Sequence, residues 1–365
     1  MKRFSLIISF ICISLISKLS AQSYHLLIGT YTNTGKSEGI YSYTVDMLKN
    51  TIIQNSITKG VLNPSFLALT QDKKFVYTVN QNDKNSTISS FGFDKGKLSF
   101  INKVEANGAA PCYISATDKH IFTANYSDGS LCVFGRNSDG SLSTSIQKIQ
   151  HTGKSINSER QNEPHVHQVI VSPDKKLVLA NDLGTDKVTL YQYNASSKSN
   201  VLIPKDSLTV KLGSGPRHAT FSNDKHTLYL IQEIDGTISV IDMKNGKLKL
   251  IQEATVIKSK GEIARAADIH LTPDEKFLYV TNRGTANNIT CFAVGMDHKL
   301  TFVQQVSTKG DGPRNFAITS DGIYIFVANQ FTDNISIFKR NTVSGMLTDT
   351  GKQISVGAPV CIVFY

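Results

Sequence analysis

One pattern recurs along nearly the whole chain and constrains its fold more than any other feature. Each copy opens with an apolar run, turns at a segment that contains Asp, and returns in a second apolar run that ends in polar residues. The copies begin at Asn63, Ala110, Glu163, Gly215, Ile263, Gly312 and Ala358, roughly 46 to 53 residues apart. That period is typical of a four-stranded propeller blade. The copies therefore predict an all-β, seven-bladed β-propeller with four-stranded antiparallel blades.

The two ends of the chain are predicted to complete one blade together. The last copy stops after a single strand at Tyr365. Three strands precede the first full copy, at residues 25–31, at residues 39–45 and, as a short third strand, around Ile52. A ring closed by both ends leaves no sheet edge free to pair with another chain.

The first 21 residues have the pattern of a secretory signal peptide. Residues 1–3 are Met-Lys-Arg, an apolar run follows over residues 4–16, and residues 19–21 are Leu-Ser-Ala. The apolar run is too short for a membrane-spanning helix. We predict cleavage before Gln22, a propeller domain over residues 22–365, export to the periplasm or beyond, and no stable membrane insertion after cleavage. A first core strand is the alternative, and it would leave the protein in the cytoplasm.

The charge of the chain favours a small anionic ligand over nucleic acid. The formal net charge is +10, of which about +7 remains after signal removal. Lys and Arg are scattered over predicted hairpin turns, as in Lys73-Lys74 and Lys175-Lys176, and form no continuous basic run. We therefore expect no nucleic-acid partner. We also expect a monomer.

Neither a disulfide nor a cofactor is expected. Cys112 and Cys132 would lie on the first and third strands of one blade, too far apart to pair, and no CxxC spacing occurs. His165 and His167 alternate on one strand and could share a metal, but no third and fourth zinc ligands are evident. Calcium bound near Asn181 and Asp182 is an alternative. Our prediction is a site without metal.

Candidate functional residues emerge when the copies are aligned on their turn Asp. Seven residues before that Asp, on the first strand, the copies hold Ser65, Pro111, His167, Arg217, Ala267 and Arg314. At the end of the second strand they hold Gln81, Tyr126, Asp182, Glu233, Arg283 and Gln330. Antiparallel strands place these two sets at the same rim, where the first strands line the central channel. We call this rim the funnel.

Some funnel residues differ from blade to blade, which favours a functional role. His, Arg and Glu stand where other copies have small or neutral residues, and a purely structural position would look alike in every blade. A ring of salt bridges around the channel is the structural alternative for Arg217, Glu233 and Arg283. The Asn and Gln residues next to the second set are predicted to bind backbone groups at the turns.

Several motifs together resemble the seven-bladed propeller lactonase family, which includes bacterial 6-phosphogluconolactonases of propeller type and fungal carboxymuconate cyclases. The matching segments span the mature chain and read LIGTYT (27–32), PHVH (164–167), NDLGTD (181–186), GPRH (215–218), DIHLTPD (268–274), TNRG (281–284) and PRNF (313–316). The resemblance implies catalytic residues at His167, Arg217, Glu233 and Arg283, with His165 a near alternative to His167. We expect His165, Asp182, His218 and Arg314 to contact the substrate.

The resemblance implies a carboxylic ester hydrolase that opens a sugar-acid lactone, 6-phosphogluconolactone or a related aldonolactone. Such a reaction needs a base for the attacking water, a partner for the oxyanion and an acid for the leaving ring oxygen. Either Glu233 or His167 can be the acid/base, and the Arg residues suit an anionic group on the substrate. The alternative is a non-catalytic propeller that binds an anionic ligand or a protein partner in the cell envelope.

Overall fold

The predicted seven-bladed propeller is confirmed by a computed structural model, which describes residues 23–365. These residues form seven four-stranded antiparallel sheets. The predicted signal peptide, residues 1–21, lies outside the described residues. Among residues 23–365, no helix is both long and apolar enough to cross a bilayer.

Blades 1 to 3 are built from consecutive strands, with the first strand of each blade innermost. Blade 1 comprises β4 (Leu67–Leu69), β5 (Phe75–Asn80), β6 (Thr87–Asp94) and β7 (Lys97–Glu105). Blade 2 comprises β8 (Pro111–Ala116), β9 (His120–Asn125), β10 (Ser130–Arg136) and β11 (Leu142–Gln150). Blade 3 comprises β12 (Val166–Val171), β13 (Leu177–Asp182), β14 (Lys187–Tyr193) and β15 (Leu202–Thr209).

Blades 4 to 6 repeat the same order. Blade 4 comprises β16 (Pro216–Phe221), β17 (Thr227–Gln232), β18 (Thr237–Asp242) and β19 (Lys249–Thr255), with a 3₁₀ turn at Lys244–Gly246. Blade 5 comprises β20 (Ala266–Leu271), β21 (Phe277–Asn282), β22 (Asn288–Val294) and β23 (Leu300–Ser307). Blade 6 comprises β24 (Pro313–Ile318), β25 (Tyr324–Asn329), β26 (Asn334–Arg340) and β27 (Leu347–Ser355).

Blade 7 joins the two ends of the described chain, as predicted. The inner strand β28 (Pro359–Phe364) pairs with β1 (Ser23–Thr30), and β2 (Gly39–Asp46) and β3 (Thr51–Lys59) complete the sheet. Leu26 lies opposite Phe364 in this register. The strand around Ile52 has nine residues and is not short. Its residues are mostly exposed and polar, so the apolar alternation that marks a strand in sequence is weak there.

The hydrophobic core is divided among the contacts between neighbouring blades. An apolar cluster fills each of the seven blade-to-blade interfaces in the described chain. Successive residues of one strand serve different clusters: Val76 packs toward blade 7 and Tyr77 toward blade 2. Because side chains alternate between the two faces of a strand, each blade is apolar on both faces.

The turn Asp residues stabilise the hairpins at the opposite end of the blades from the funnel. Asp174 Oδ1 accepts hydrogen bonds from Ser172 Oγ at 2.7 Å and from Lys176 N at 3.2 Å. Lys175 between them has φ of 56°, a conformation that such a tight turn requires. The turn Asp therefore has a structural role.

Candidate active site

A β-bulge at the start of several inner strands positions the first set of funnel residues. In blade 4 the register shifts between Pro216 and His218, which leaves Arg217 without a partner on β17. The register shifts in the same way on either side of His167 in blade 3 and of Arg314 in blade 6, so these two residues are also unpaired with the second strand. A bulge re-aims the extra side chain and ends regular pairing. The three residues therefore occupy equivalent positions at the channel, as the sequence predicted.

The second set of funnel residues is defined by a repeated backbone contact. In each blade the residue after the second strand donates its N–H to the segment before the inner strand, as Glu233 does to Gly215 O at 2.7 Å. The residues that make this contact are Tyr31, Gln81, Tyr126, Leu183, Glu233, Arg283 and Gln330. The ring thus includes Leu183 in blade 3, where the sequence alignment placed Asp182, and Tyr31 in blade 7.

Asp182 is not brought into the funnel. Its carboxylate is fully buried; Oδ1 accepts from His165 N at 2.8 Å and Gly184 N at 3.0 Å, and Oδ2 lies 2.9 Å from His151 Nδ1. Asn282 occupies the same position in blade 5 and accepts from Arg265 N in the same way. Asp182 therefore takes the backbone-binding role that Asn282 has in blade 5.

In blade 2 the bulge position belongs to Cys112, whereas the sequence alignment assigned Pro111. The turn from Thr117 to His120 closes with fewer residues than the turn from Ser172 to Leu177 in blade 3. Asp118 is consequently displaced relative to the other turn Asp residues, and an alignment on Asp shifts the inner strand. Cys112 is buried and unpaired, as are the other three cysteines of the described chain.

Three arginines surround the Glu233 carboxylate. Arg217 Nε and Arg283 Nη2 each lie 2.9 Å from Oε2, and Arg160 Nη2 lies 2.8 Å from Oε1. Arg217 also donates to Ala267 O, and its side chain is 1% exposed. We call Arg160, Arg217, Glu233 and Arg283 the Glu233 cluster. The structure thus brings together three of the four residues predicted to be catalytic.

The arginines keep Glu233 ionised. Burial alone would raise the pKa of Glu233, but the charges of Arg283 and Arg217 hold it well below its ordinary value. A carboxylate in this state is a weak proton acceptor. Glu233 is therefore better suited to hold the arginines in place than to take a proton from water.

His167, the fourth residue predicted to be catalytic, lies beside the cluster as a neutral base. It is 4% exposed, and its Nδ1 is buried without a hydrogen-bond partner. Burial and the charge of Arg217 lower the pKa of His167 well below its ordinary value. Its ring contacts the edge of Tyr126 at a centroid distance of 5.6 Å. A buried nitrogen without a partner in a folded protein calls for an explanation.

The remaining predicted contact residues lie around His167. The His165 ring stacks on Tyr126 with centroids 4.4 Å apart, and its Nδ1 lies 2.9 Å from Tyr126 O. The Arg314 guanidinium lies over the Tyr31 ring at 5.4 Å. His218 is buried further along the channel. Apart from Asp182, the predicted site residues therefore converge.

The charges at the funnel favour an anion. Four guanidinium groups, those of Arg160, Arg217, Arg283 and Arg314, face one carboxylate. Within the described residues, Arg314 forms no ion pair. Such an excess of fixed positive charge suits a phosphate or carboxylate. Over residues 23–365, no group of three or more His, Cys, Asp or Glu side chains is arranged to hold a metal ion.

Sequence reasoning missed Arg160. This residue lies between β11 and β12, in the longest connection between successive strands of the described chain. It belongs to no repeat position, so aligning the blades could not find it. The length of the insertion was the available signal, because long loops on a constant scaffold often carry functional residues.

Comparisons with known proteins agree with this geometry. The family model described as "Lactonase, 7-bladed beta-propeller" matches residues 25–364. A 6-phosphogluconolactonase of Bacillus subtilis is 33% identical over 345 residues, covering 92% of this chain and 97% of the relative. A 6-phosphogluconolactonase of Formosa agariphila is 31% identical over 340 residues, covering 91% and 96%.

A solved structure has a similar level of sequence identity to this chain. The periplasmic gluconolactonase of Pseudomonas aeruginosa is 34% identical, covers 94% of this chain and 99% of that one, and superposes with a TM-score of 0.88. The family match over residues 25–364 covers both the closing blade and the blades that carry the Glu233 cluster. The chain belongs to the seven-bladed β-propeller lactonase family.

Proposed function

We propose that the protein hydrolyses the lactone of a sugar acid, 6-phosphogluconolactone or a related aldonolactone, as a carboxylic ester hydrolase. One observation carries the proposal: a buried His167, held neutral by burial and by the charge of Arg217, lies next to an excess of arginine charge. The names of the relatives from B. subtilis and P. aeruginosa support the substrate class.

The geometry favours His167 as the acid/base. In the proposed reaction, His167 takes a proton from water as the water oxygen attacks the lactone carbonyl. The C–O bond to the ring oxygen then breaks, and the imidazolium returns the proton to that oxygen. One water is consumed and one hydroxy acid is formed, so the imidazole ends each cycle neutral.

We assign two roles to the arginines: stabilising the oxyanion and binding the anionic group of the substrate. Arg217 and Arg283 are fixed by Glu233 and suit the oxyanion that forms on the carbonyl oxygen, since preorganised donors stabilise developing charge without reorganisation. Arg160 and Arg314 are the less constrained cations and suit the phosphate or carboxylate of the substrate. Glu233 is then a positioning residue for the arginines.

We also propose that the mature protein is exported and monomeric. The pattern of residues 1–21 supports export, as does the periplasmic relative. The closed ring supports a monomer, because pairing of β28 with β1 leaves no gap at blade 7. Only the outermost strand of each blade keeps an unpaired outer edge, contrary to the expectation that no sheet edge would be free.

The test uses purified protein beginning at Gln22 and a panel of 6-phosphogluconolactone, gluconolactone and a carboxymuconate lactone. We expect hydrolysis of at least one aldonolactone well above its spontaneous rate, with the phosphorylated lactone preferred. If the protein binds the corresponding hydroxy acids but accelerates no lactone, the non-catalytic binding propeller is the better description.

A further inference from the structure

A buried hydrogen-bond network crosses the inner strands below the Glu233 cluster. Asp268 on β20 is its centre: Oδ1 lies 2.7 Å from His218 Nδ1 on β16, and Oδ2 lies 3.0 Å from His270 Nε2. Asn315 on β24 donates its Nδ2 to Asp268 Oδ2 and accepts from Ile362 N on β28. The network therefore links four of the seven inner strands.

Asp268 fixes the tautomer of His218. Its carboxylate also accepts from the backbone N–H groups of Ile269 at 3.1 Å and Phe316 at 3.3 Å. A carboxylate surrounded by donors in this way stays ionised and can only accept hydrogen bonds. The hydrogen between Asp268 and His218 must then sit on His218 Nδ1, so His218 Nε2 carries a lone pair.

His218 Nε2, which carries this lone pair, lies near a second unpaired nitrogen on the neighbouring ring of His167. His218 Nε2 and His167 Nδ1 are both buried without a hydrogen-bond partner, and each residue is 4% exposed. The two ring centroids lie 5.2 Å apart at an interplanar angle of 70°. Unpaired buried polar atoms are costly, and one hydrogen bond would satisfy both nitrogens. In a direct hydrogen bond between the two rings His218 Nε2 can only accept, so His167 Nδ1 is the donor.

We propose that Asp268 and His218 are positioning residues that fix the tautomer of His167, which places a hydrogen on His167 Nδ1 and a lone pair on Nε2. This requires a direct hydrogen bond between the rings, because a bridging water could donate to both nitrogens and would leave the His167 tautomer undetermined. The hydrogen bond made by one ring nitrogen decides which nitrogen is free for chemistry. This inference rests on the proposed function, because it supplies the proton acceptor that lactone hydrolysis needs.

The tautomer can be measured without any substrate. Protein labelled with ¹⁵N-histidine reports the protonation of each ring nitrogen by NMR at neutral pH, and His167→Gln identifies the His167 signal by its loss. We expect His167 to carry its hydrogen on Nδ1 in the wild type. In His218→Leu we expect a shift toward the Nε2–H form. The matched control is His120→Leu, which removes another buried histidine, one that lies in blade 2 and contacts Tyr193 of blade 3.

Two results would overturn the proposal: His167 carrying its hydrogen on Nε2 in the wild type, or an unchanged His167 tautomer in folded His218→Leu. If His218→Leu does not fold, the wild-type tautomer still decides. His218→Gln supplies a second variant, because its amide can donate to Asp268 and accept from His167. We expect it to retain the wild-type tautomer.

Kinetics separate this role from a merely structural one. We expect His218→Leu to lower kcat by about 10²-fold or more, the scale of a general acid/base, with KM changed by less than threefold. His218→Gln should recover most of that loss. Absence of lactonase activity together with the predicted tautomer response would refute the proposed function and leave the network intact. Lactonase activity with the opposite tautomer would refute the network alone.

Discussion

Both oxygens of the Glu233 carboxylate are occupied by guanidinium groups: Arg160 binds Oε1, and Arg217 and Arg283 bind Oε2. At the scale of single residues, this arrangement separates the role of Glu233 from that of His167. The carboxylate is held ionised and contributes to the order of the arginines. The imidazole is held neutral beside these arginines, which is why we propose proton transfer at His167 and not at Glu233.

Replacing Glu233 should therefore affect stability strongly. Glu233→Gln leaves buried arginine charge without its counter-ion, and removing one partner of a buried ion pair costs about 3–5 kcal/mol. We expect denaturant unfolding to show a loss on this scale, whereas Glu253→Gln on the exposed surface of β19 should show almost none. Unchanged stability together with complete loss of turnover would instead assign the proton transfer to Glu233.

The pH dependence of the rate should report the neutral state of His167. A base works only when deprotonated, so kcat/KM should fall as pH falls through the His167 pKa, which lies well below 6.5. Burial, Arg217, His218 and Arg314 all lower this pKa, and Glu233 opposes them. Arg314→Gln removes one of these cations and should move the acid limb to higher pH. A limb that stays in place or moves to lower pH would contradict the assignment.

At the scale of elements, the connection between β11 and β12 joins blade 2 to blade 3, and its residue Arg160 binds Glu233 of blade 4. Its course is fixed by Asp186, a buried carboxylate that accepts from Ser155 Oγ at 2.5 Å and from Gln161 Nε2 at 2.8 Å. Asp186 also accepts from Gly213 N and Gly215 N before β16. The segment is therefore attached on both sides of Arg160 and holds that side chain over the funnel.

Arg160→Ala should reveal whether this segment selects the substrate. A hydrogen bond to a charged group contributes about 1.5–3 kcal/mol, and about 1.4 kcal/mol corresponds to a tenfold change in binding. We expect KM for 6-phosphogluconolactone to rise about tenfold, and KM for gluconolactone to change much less. Lys154→Ala removes the same charge from an exposed position of the same segment and should change neither value. Equal effects of Arg160→Ala on both lactones would exclude phosphate recognition.

Features of the fold and the site that belong to the repeat could be predicted from the sequence, and features outside the repeat could not. Strand order, the closing blade and the rim positions of His167, Arg217, Glu233 and Arg283 follow from the period, because equivalent residues of successive copies lie at the same rim of the ring. The shorter turn of blade 2 displaced the alignment onto Pro111. In blade 3 the turn has the same length as in blade 4, and Asp182 was aligned with Glu233 although Leu183 has the equivalent spacing from the turn Asp. Arg160 lies outside the period, and the contact between His167 and His218 depends on distances that no pattern encodes.

At the scale of the whole molecule, the funnel depends on closure of the ring. The inner strand β28 pairs with β1 and supplies Cys361 and Ile362 to the apolar clusters on either side of blade 7. The N–H of Ile362 also reaches Asn315 Oδ1, which ties the closing strand to the network around Asp268. Stability and the geometry of the site are therefore coupled through one strand.

Deletion of residues 358–365 should open the ring. Two neighbouring apolar clusters and one edge of β1 would become exposed, and an exposed strand edge promotes association between chains. We expect aggregation or a broad, non-cooperative unfolding transition in place of a single one. A truncated monomer with the melting temperature of the full chain would contradict the closure argument.

The central claim is that lactone hydrolysis takes place in the funnel with His167 as the acid/base. The most direct measurement is kcat/KM at neutral pH, on the lactone of the panel that turns over fastest, for the wild type and His167→Gln. His226→Gln serves as the matched control, because His226 is exposed on a hairpin turn at the other end of blade 4. The account predicts a loss of about 10²-fold or more in His167→Gln, the scale of one general acid/base, and an unchanged value in His226→Gln. Near wild-type turnover by folded His167→Gln would contradict it.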